Sequence, residues 1–185
     1  MRIGILAVQG AFIEHEKILT SLGHECVELR QKSDITNIDG LVLPGGESTV
    51  QGKLLRDLDM FDDIKARIDD GIPVLATCAG LILLSEKISN DANTYFATLP
   101  VTVKRNAYGR QLGSFEQVAD FAGIGPVKMT FIRAPYIEKA NDNVDILATI
   151  DGNIVAAKYK NQIGLAFHPE LGDDIRIHQM FCDLM

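Results

Sequence analysis

The chain has 185 residues, of which 46% are apolar and 23% charged, so it is long enough to bury a hydrophobic core without disulfide bonds. These proportions are typical of soluble globular proteins and exclude a disordered, collagen-like or coiled-coil chain. With 18 Lys and Arg against 25 Asp and Glu, the net charge is −7, which argues against binding to nucleic acid or to an anionic membrane.

The first half of the chain alternates between strand and helix patterns. Apolar runs predict strands at 2–8, 25–30, 41–43 and 74–77. Helical patterns follow at 11–22, 49–58, 60–70 and from 79 to about 88, and Gly23 and Gly71 end two of them. Strands that alternate with helices of this length predict an α/β fold, in which helices flank a mostly parallel central sheet.

The second half changes character. Strand patterns occur at 101–105, 115–118, 128–133, 145–150, 153–159 and 162–167, and a last helix is predicted at 173–184. Asp151-Gly152 and Lys160-Asn161 are hairpin signals, so we expect an antiparallel β excursion on one side of the parallel core. The stretch 106–127 contains four glycines and has too weak a periodicity to assign. Without repeats or linkers, 1–185 is predicted to form a single domain.

The length of the apolar runs and the spacing of the cysteines indicate the cellular compartment in which the protein works. The longest nearly apolar run, 72–84, has 13 residues, whereas a membrane-spanning helix needs about 20. Glu14 and Glu16 closely follow the N-terminal apolar run, which therefore predicts a buried strand rather than a signal peptide. The three cysteines stand at 26, 78 and 182, without metal-ligand or disulfide spacing. We therefore predict no metal and a reduced, cytoplasmic environment.

Cys78 is the first candidate catalytic residue. It ends an apolar strand and precedes the small residues Ala79 and Gly80, which lead into a helix, as in a nucleophile elbow with Cys in place of Ser. The positive end of that helix favours a thiolate, and the Ala79 N–H can point at a developing oxyanion. The alternative is a small hydrophobic residue in a buried strand.

A second candidate segment ends the last predicted strand with His168, Pro169 and Glu170. A nucleophilic thiol needs a base, and the base needs an acceptor that orients it. Pro169 fixes the local backbone, so the two side chains keep a set relation. The alternative is a partly exposed histidine beside an unrelated surface glutamate. Because active groups gather at the carboxyl ends of parallel strands, a Cys-His-Glu triad is predicted.

A third segment, PGGEST at 44–49, also follows a strand and opens a helix. Its two glycines allow close approach of the backbone, so the loop can supply oxyanion donors or an anion nest. It lacks the Gly-Lys-Ser/Thr ending of a P-loop. The alternative is a plain turn with a Ser or Thr cap.

In this order, the three segments resemble the class I, triad-type glutamine amidotransferases, and more narrowly the glutaminase subunits of pyridoxal 5'-phosphate synthase. The resemblance covers the chain from end to end, and Glu47-Ser48 is its most specific part. It is carried by GILAVQGA (4–11), GLVLPGGEST (40–49), TCAGLI (77–82), RN (105–106) with GRQ (109–111), FIRAP (131–135) and FHPEL (167–171). One departure is Ala76, where the family usually has glycine two residues before the cysteine.

The resemblance implies a flavodoxin-like fold and the hydrolysis of L-glutamine to L-glutamate and ammonia. Cys78 would attack the side-chain amide and form a glutamyl thioester, with His168 as base and then acid and Glu170 as its orienting partner. No cofactor is implied. The oxyanion would be held by backbone N–H groups of Gly45, Gly46 and Ala79.

The resemblance also implies contacts with substrate and with a partner. Arg105 and Arg133 suit the substrate carboxylate and Glu47 its ammonium group. Gln9 is a candidate residue for coupling to the synthase subunit, which would receive the ammonia in a large hetero-oligomer. That partner must be another chain, because its (β/α)₈ barrel needs roughly 250 residues. The full set of implied substrate contacts is Gly46, Glu47, Ser48, Arg105, Ile132 and Arg133.

Two other functions stay open at this point. A stand-alone cysteine hydrolase on a related α/β fold would keep the elbow cysteine but need neither the PGGES segment nor the His-Pro-Glu ending. A non-catalytic binding module would need none of the triad residues, all of which are present. Cys26 and Cys182 are predicted to be structural. The histidines at 15, 24 and 178 have no neighbours at ligand spacing and are interpreted as surface or packing residues.

Overall fold

The computed structural model describes residues 1–107 and 113–185. Its helices are α1 (Phe12–Ser21), α2 (Ser48–Asp57), α3 (Phe61–Asp69), α4 (Ala79–Leu84) and α5 (Arg176–Cys182). Its strands are β1 (Arg2–Leu6), β2 (Glu25–Leu29), β3 (Gly40–Leu43), β4 (Val74–Thr77), β5 (Ser85–Ile88), β6 (Leu99–Lys104), β7 (Ser114–Phe121), β8 (Gly125–Ile132), β9 (Tyr136–Ala140), β10 (Asp145–Ile150), β11 (Asn153–Tyr159) and β12 (Gln162–Leu165). Within these ranges no helix is long and apolar enough to cross a membrane.

Five parallel strands form the core of the main sheet, in the order β2-β1-β3-β4-β12. This is the 2-1-3-4-5 order of flavodoxin-like folds, in which ligands bind outside the carboxyl ends of the strands. Every residue of β3, β4 and β12 is buried, as expected of parallel strands that are covered on both faces. The predicted α/β class and mostly parallel core are confirmed.

The antiparallel half extends the same sheet beyond β12. Strand β11 pairs antiparallel with β12 and β9, β9 pairs antiparallel with β6, and β10 adds to β11. Strands β7 and β8 form a separate antiparallel hairpin, which the His168 N–H joins to the core by donating to the Thr130 carbonyl at 2.8 Å. The predicted antiparallel excursion is therefore confirmed.

The prediction of a helix from 79 to about 88 is wrong in its second half. Helix α4 ends at Leu84, and the extended Ser85 begins β5, which pairs parallel with β6. The Ser85 hydroxyl donates to the Ile82 carbonyl at 2.8 Å and so occupies one of the last acceptors of the helix. Strand β9 was not predicted, because its sequence YIEKA lacks an alternating pattern.

Candidate active site

Cys78 lies in the turn between β4 and α4, with φ 47° and ψ −98°. A non-glycine residue keeps such a backbone conformation only where its surroundings impose it, and such residues cluster at active sites. The Cys78 N–H donates to the Leu165 carbonyl at 2.8 Å. Gly80 allows α4 to approach β3, because a Cβ there would lie 2.0 Å from the Leu43 oxygen. These contacts hold the thiol at the edge of the sheet where the parallel strands have their carboxyl ends.

Ala76 replaces the glycine that the resemblance leads one to expect before the elbow. It is fully buried in the middle of the sheet, level with Leu43 on one side and Gly164 on the other. The space in front of Gly164 is filled by Leu81 and Leu99, whose Cδ atoms would lie 2.8 and 2.9 Å from a Cβ there. The strained turn at Cys78 is present despite the substitution.

His168 and Glu170 lie three and five residues beyond the end of β12, which ends at Leu165 rather than at the predicted 167, and they form a buried pair. Their side chains are 7% and 0% exposed, and the His168 Nδ1 lies 2.6 Å from the Glu170 Oε1. Burial opposes a charge on His168, but its interactions with Cys78 and Glu170 outweigh burial and raise its pKa to about 10. The ring packs on Gly45, where a Cβ would lie 2.3 Å from the His168 Cε1. The imidazole is thus fixed between the thiol and the carboxylate.

Two further histidines lie behind Glu170, which the sequence analysis did not anticipate. The His15 Nε2 is 3.5 Å from the Glu170 Oε2, and the His15 Nδ1 is 2.9 Å from the His178 Nε2. Both histidines are fully buried, so of the two expected roles, surface or packing, they have the packing one. The helical periodicity of the sequence does indicate that His15 is buried, because His15 stands four residues before Leu19 and therefore on the apolar face of α1.

Burial and neighbouring charges compete at these buried groups. For Glu170 burial acts to raise the pKa, but the electrostatic interaction with His15 and the hydrogen bond and charge of His168 outweigh it, so the pKa is lowered. Burial lowers the pKa of His15 and, together with His15, lowers that of His178 to about 3. The site therefore holds an ionised Glu170 beside two neutral histidines.

A cavity of about 620 Å³ opens in front of Cys78. It has the size of a small-molecule site and lies where a flavodoxin-like sheet places one. Glu170 lies behind His168, and Ala79 is not among the lining residues. The GRQ segment at 109–111 lies outside the described residues. The predicted site residues that line the cavity are Gln9, Gly45, Gly46, Glu47, Ser48, Cys78, Arg105, Ile132, Arg133 and His168.

Part of the cavity wall is charged. The Arg105 guanidinium, 18% exposed, donates to the Glu47 Oε1 at 2.9 Å and to the Asp91 Oδ2 at 2.8 Å. The Asn90 side chain accepts from the Arg105 N–H at 3.0 Å. Arg133 is exposed at the rim. Asp91 and Asn90 hold Arg105 in place, and nothing in their local sequence indicated this role.

The loops after β1 and β3 are tied to each other. The Glu47 N–H donates to the Gln9 Oε1 at 2.8 Å, and the Gln51 Nε2 donates to the Gln9 and Pro44 carbonyls at 2.9 and 3.2 Å. At Gly10, with φ 109°, a Cβ would lie 1.9 Å from the Gly45 oxygen. Gln51, a fully buried residue of α2 that the sequence analysis missed, therefore sets the position of both loops.

Comparisons with known proteins show the family to which the chain belongs. The proteins named pyridoxal 5'-phosphate synthase subunit PdxT of Desulfitobacterium hafniense (strain DSM 10664 / DCB-2) and Methanocorpusculum labreanum are 66% and 54% identical, over 99% and 100% of this chain and 92% and 98% of theirs. A crystal structure of a glutamine amidotransferase superimposes with a TM-score of 0.93 at 37% identity, covering 98% of this chain and 97% of that one. Because residues 5–185 also match the family model, this chain belongs to the SNO glutamine amidotransferase family.

Proposed function

We propose that the chain is the glutaminase subunit of a pyridoxal 5'-phosphate synthase, and that 1–185 act as one glutaminase domain. This proposal rests on one observation: the strained Cys78 and His168, which pairs with the buried Glu170, line the same cavity as the charged Glu47, Arg105 and Arg133. The names of the relatives, at 54% and 66% identity, support the same conclusion. The ammonia passes to a synthase subunit, with which this chain forms a hetero-oligomer.

The reaction uses Cys78 as the nucleophile. Its proton passes to His168, and the sulfur attacks the carbon of the glutamine side-chain amide. Backbone N–H groups of Gly45, Gly46 and Ala79 stabilise the oxyanion of the tetrahedral intermediate. The raised pKa of His168 favours the imidazolium, which protonates the leaving nitrogen as the C–N bond breaks.

The second half of the reaction releases glutamate. Ammonia leaves behind a glutamyl thioester and a neutral His168. His168 then takes a proton from water, the hydroxide oxygen bonds to the thioester carbon, and the C–S bond breaks. The products are L-glutamate, ammonia and the free enzyme, so one water is consumed for each glutamine.

The charged end of the cavity selects an amino acid. Arg105 and Arg133 bind the α-carboxylate, and Glu47 binds the α-ammonium group. Arg105 and Glu47 already contact each other at 2.9 Å, so a zwitterion can satisfy both after replacing part of that contact. The side-chain amide then extends toward Cys78. Gly46, Ser48 and Ile132 complete the walls around it.

Gln9 is the residue through which we expect the partner to act. Its side chain accepts from the Glu47 N–H, and its carbonyl accepts from Gln51. A partner that moves Gln9 therefore also moves the loop that carries Gly45 and Gly46. The positions of the backbone N–H groups that stabilise the oxyanion would change with that loop.

The test of the proposed function is glutamate release from L-glutamine, measured with and without the matching synthase subunit. A low rate that rises sharply with the partner is expected for a site that docking completes. Equal rates in the two conditions would make the chain a free-standing glutaminase and would refute the partner. No release in either condition would favour the hydrolase or the non-catalytic module.

Arg105→Gln tests the substrate end. Losing a charge-assisted hydrogen bond of about 1.5–3 kcal/mol predicts a KM for glutamine that is about 10- to 100-fold higher, with kcat changed much less. Steady-state glutamate release with the synthase subunit measures both constants. The matched control is Lys65→Gln, which removes an exposed cation paired with Asp69 on α3 and should leave KM unchanged. An unchanged KM in Arg105→Gln would contradict this role.

A further inference from the structure

We propose that His15 is a positioning residue that holds Glu170 from the side opposite His168, and that His178 sets the tautomer of His15. This inference rests on the proposed function and deepens it. Cys78, His168 and Glu170 are then the first three members of a buried series of contacting side chains, which continues through His15 and ends at His178.

The two carboxylate oxygens of Glu170 differ in their surroundings. Oε1 lies 2.6 Å from the His168 Nδ1, within hydrogen-bond distance. Oε2 is buried and makes no hydrogen bond to any described residue, and the His15 Nε2 lies 3.5 Å from it. A buried carboxylate oxygen needs a donor. Catalytic contacts that are long in the free enzyme often tighten when the substrate binds, so His15 is placed to supply that donor.

The hydrogen bond between the two histidines fixes the direction of donation. If the proton of His15 is on Nε2, it points at Glu170 and at the Thr77 hydroxyl, 3.3 Å away. The His15 Nδ1 then accepts from the His178 Nε2–H at 2.9 Å. The His178 Nδ1, which is buried and has no described partner, is left as an unprotonated acceptor.

The opposite tautomers are disfavoured by the same contacts. If His15 donated from Nδ1, its Nε2 lone pair would face the Glu170 carboxylate. His178 would then have to carry its proton on Nδ1, buried without an acceptor among the described residues. A buried donor without a partner bears its full desolvation cost. Both neutral rings therefore carry their protons on Nε2. His178 donates to His15, and the His15 N–H is directed toward Glu170.

Three elements converge on this series of side chains. His15 comes from α1, His178 from α5, and Thr77 is the last residue of β4, next to Cys78. Glu170 itself lies in a short 3₁₀ turn, Pro169–Leu171, which by itself offers little support. The two histidines thus connect the orientation of Glu170 to the rigid body of the fold.

Three variants test the positioning role in the presence of the synthase subunit. His15→Leu removes both ring nitrogens, and kcat is expected to fall by about 100-fold, the order of loss caused by a misplaced reacting group, while KM is unchanged. In His15→Gln the side-chain amide can place an N–H near the former Nε2, and most of kcat should return. His24→Leu, which changes a partly exposed histidine just after α1, is the control and should behave as the wild type. Wild-type kcat in His15→Leu, or equal losses in the Leu and Gln variants, would overturn the proposal.

A measurement on the unaltered protein decides the tautomers even if His15→Leu does not fold. The ¹⁵N chemical shifts of the imidazoles are expected to show His15 and His178 both protonated on Nε2 and unprotonated on Nδ1. A proton on the His15 Nδ1 would overturn the proposal. This experiment uses no glutamine, so it separates a failure of this inference from a failure of the proposed function, which an inactive wild-type complex would reveal.

Discussion

Cys78→Ala is expected to lower glutamine hydrolysis by about 10⁴-fold or more, the size of loss seen when the nucleophile of a triad is removed. The thioester cannot form without the sulfur, and only the oxyanion donors and substrate binding remain. Glutamate release in the presence of the synthase subunit measures the loss. A glutamine analogue that carries an electrophile should label the wild type and leave the variant unmodified.

The same substitution should leave the fold intact. Cys78 borders the cavity and is 7% exposed, so removing its sulfur leaves no enclosed void. Alanine and cysteine bear the same strain at φ 47°, and the free energy of unfolding should change by less than about 1 kcal/mol. Thermal unfolding measures this change. Retained hydrolysis in a folded Cys78→Ala protein would refute the thioester mechanism.

Cys182→Ala is the matched control. Cys182 is buried in α5, and burial raises its pKa to about 11, so its thiol is unreactive near neutral pH. The variant should hydrolyse glutamine at the wild-type rate. A large loss of activity in a folded Cys182→Ala protein would show that the effect of Cys78→Ala is not specific to the elbow.

The parallel half of the fold was predictable because its signals are local. Buried parallel strands are nearly continuous apolar runs, and β4 begins and ends at the predicted residues, 74 and 77. Ser85–Ile88 was predicted as helix because its conformation depends on β6, more than ten residues farther along the chain. Strand β9 forms for the same reason, between β6 and β11. Sequence patterns fail where distant pairing decides the conformation.

The front of the candidate site was predictable for a related reason. Cys78 directly follows β4, His168 and Glu170 lie three and five residues beyond the end of β12, and a parallel sheet brings the carboxyl ends of its strands to one edge. His15 and His178 are 163 residues apart and lie on helices, where a single histidine has no local pattern that marks it. Asp91 is likewise recognised only through its contact with Arg105. Residues that support a site from behind are identified by three-dimensional contacts.

His168→Asn is expected to lower hydrolysis by about 10⁴-fold or more while largely preserving the contact with Glu170. The asparagine amide can place an N–H close to the former Nδ1, which lies 2.6 Å from the Glu170 Oε1 in the wild type. What is lost is Nε2, the atom that exchanges protons with Cys78 and the leaving ammonia. The variant therefore separates proton transfer from the support of Glu170. Glutamate release with the synthase subunit measures the loss.

The reactivity of Cys78 gives an independent measure of the same change. In the wild type His168, whose pKa is raised to about 10, takes the proton of the Cys78 thiol and so makes the sulfur more nucleophilic. In His168→Asn, alkylation of Cys78 by iodoacetamide at neutral pH, followed by peptide mass spectrometry, should be slower than in the wild type. His24→Asn is the control and should be alkylated like the wild type. If His168→Asn hydrolysed glutamine within 10-fold of the wild type, proton transfer would have to be assigned to another group. The side chains from His178 to Glu170 would then no longer support a group that reacts.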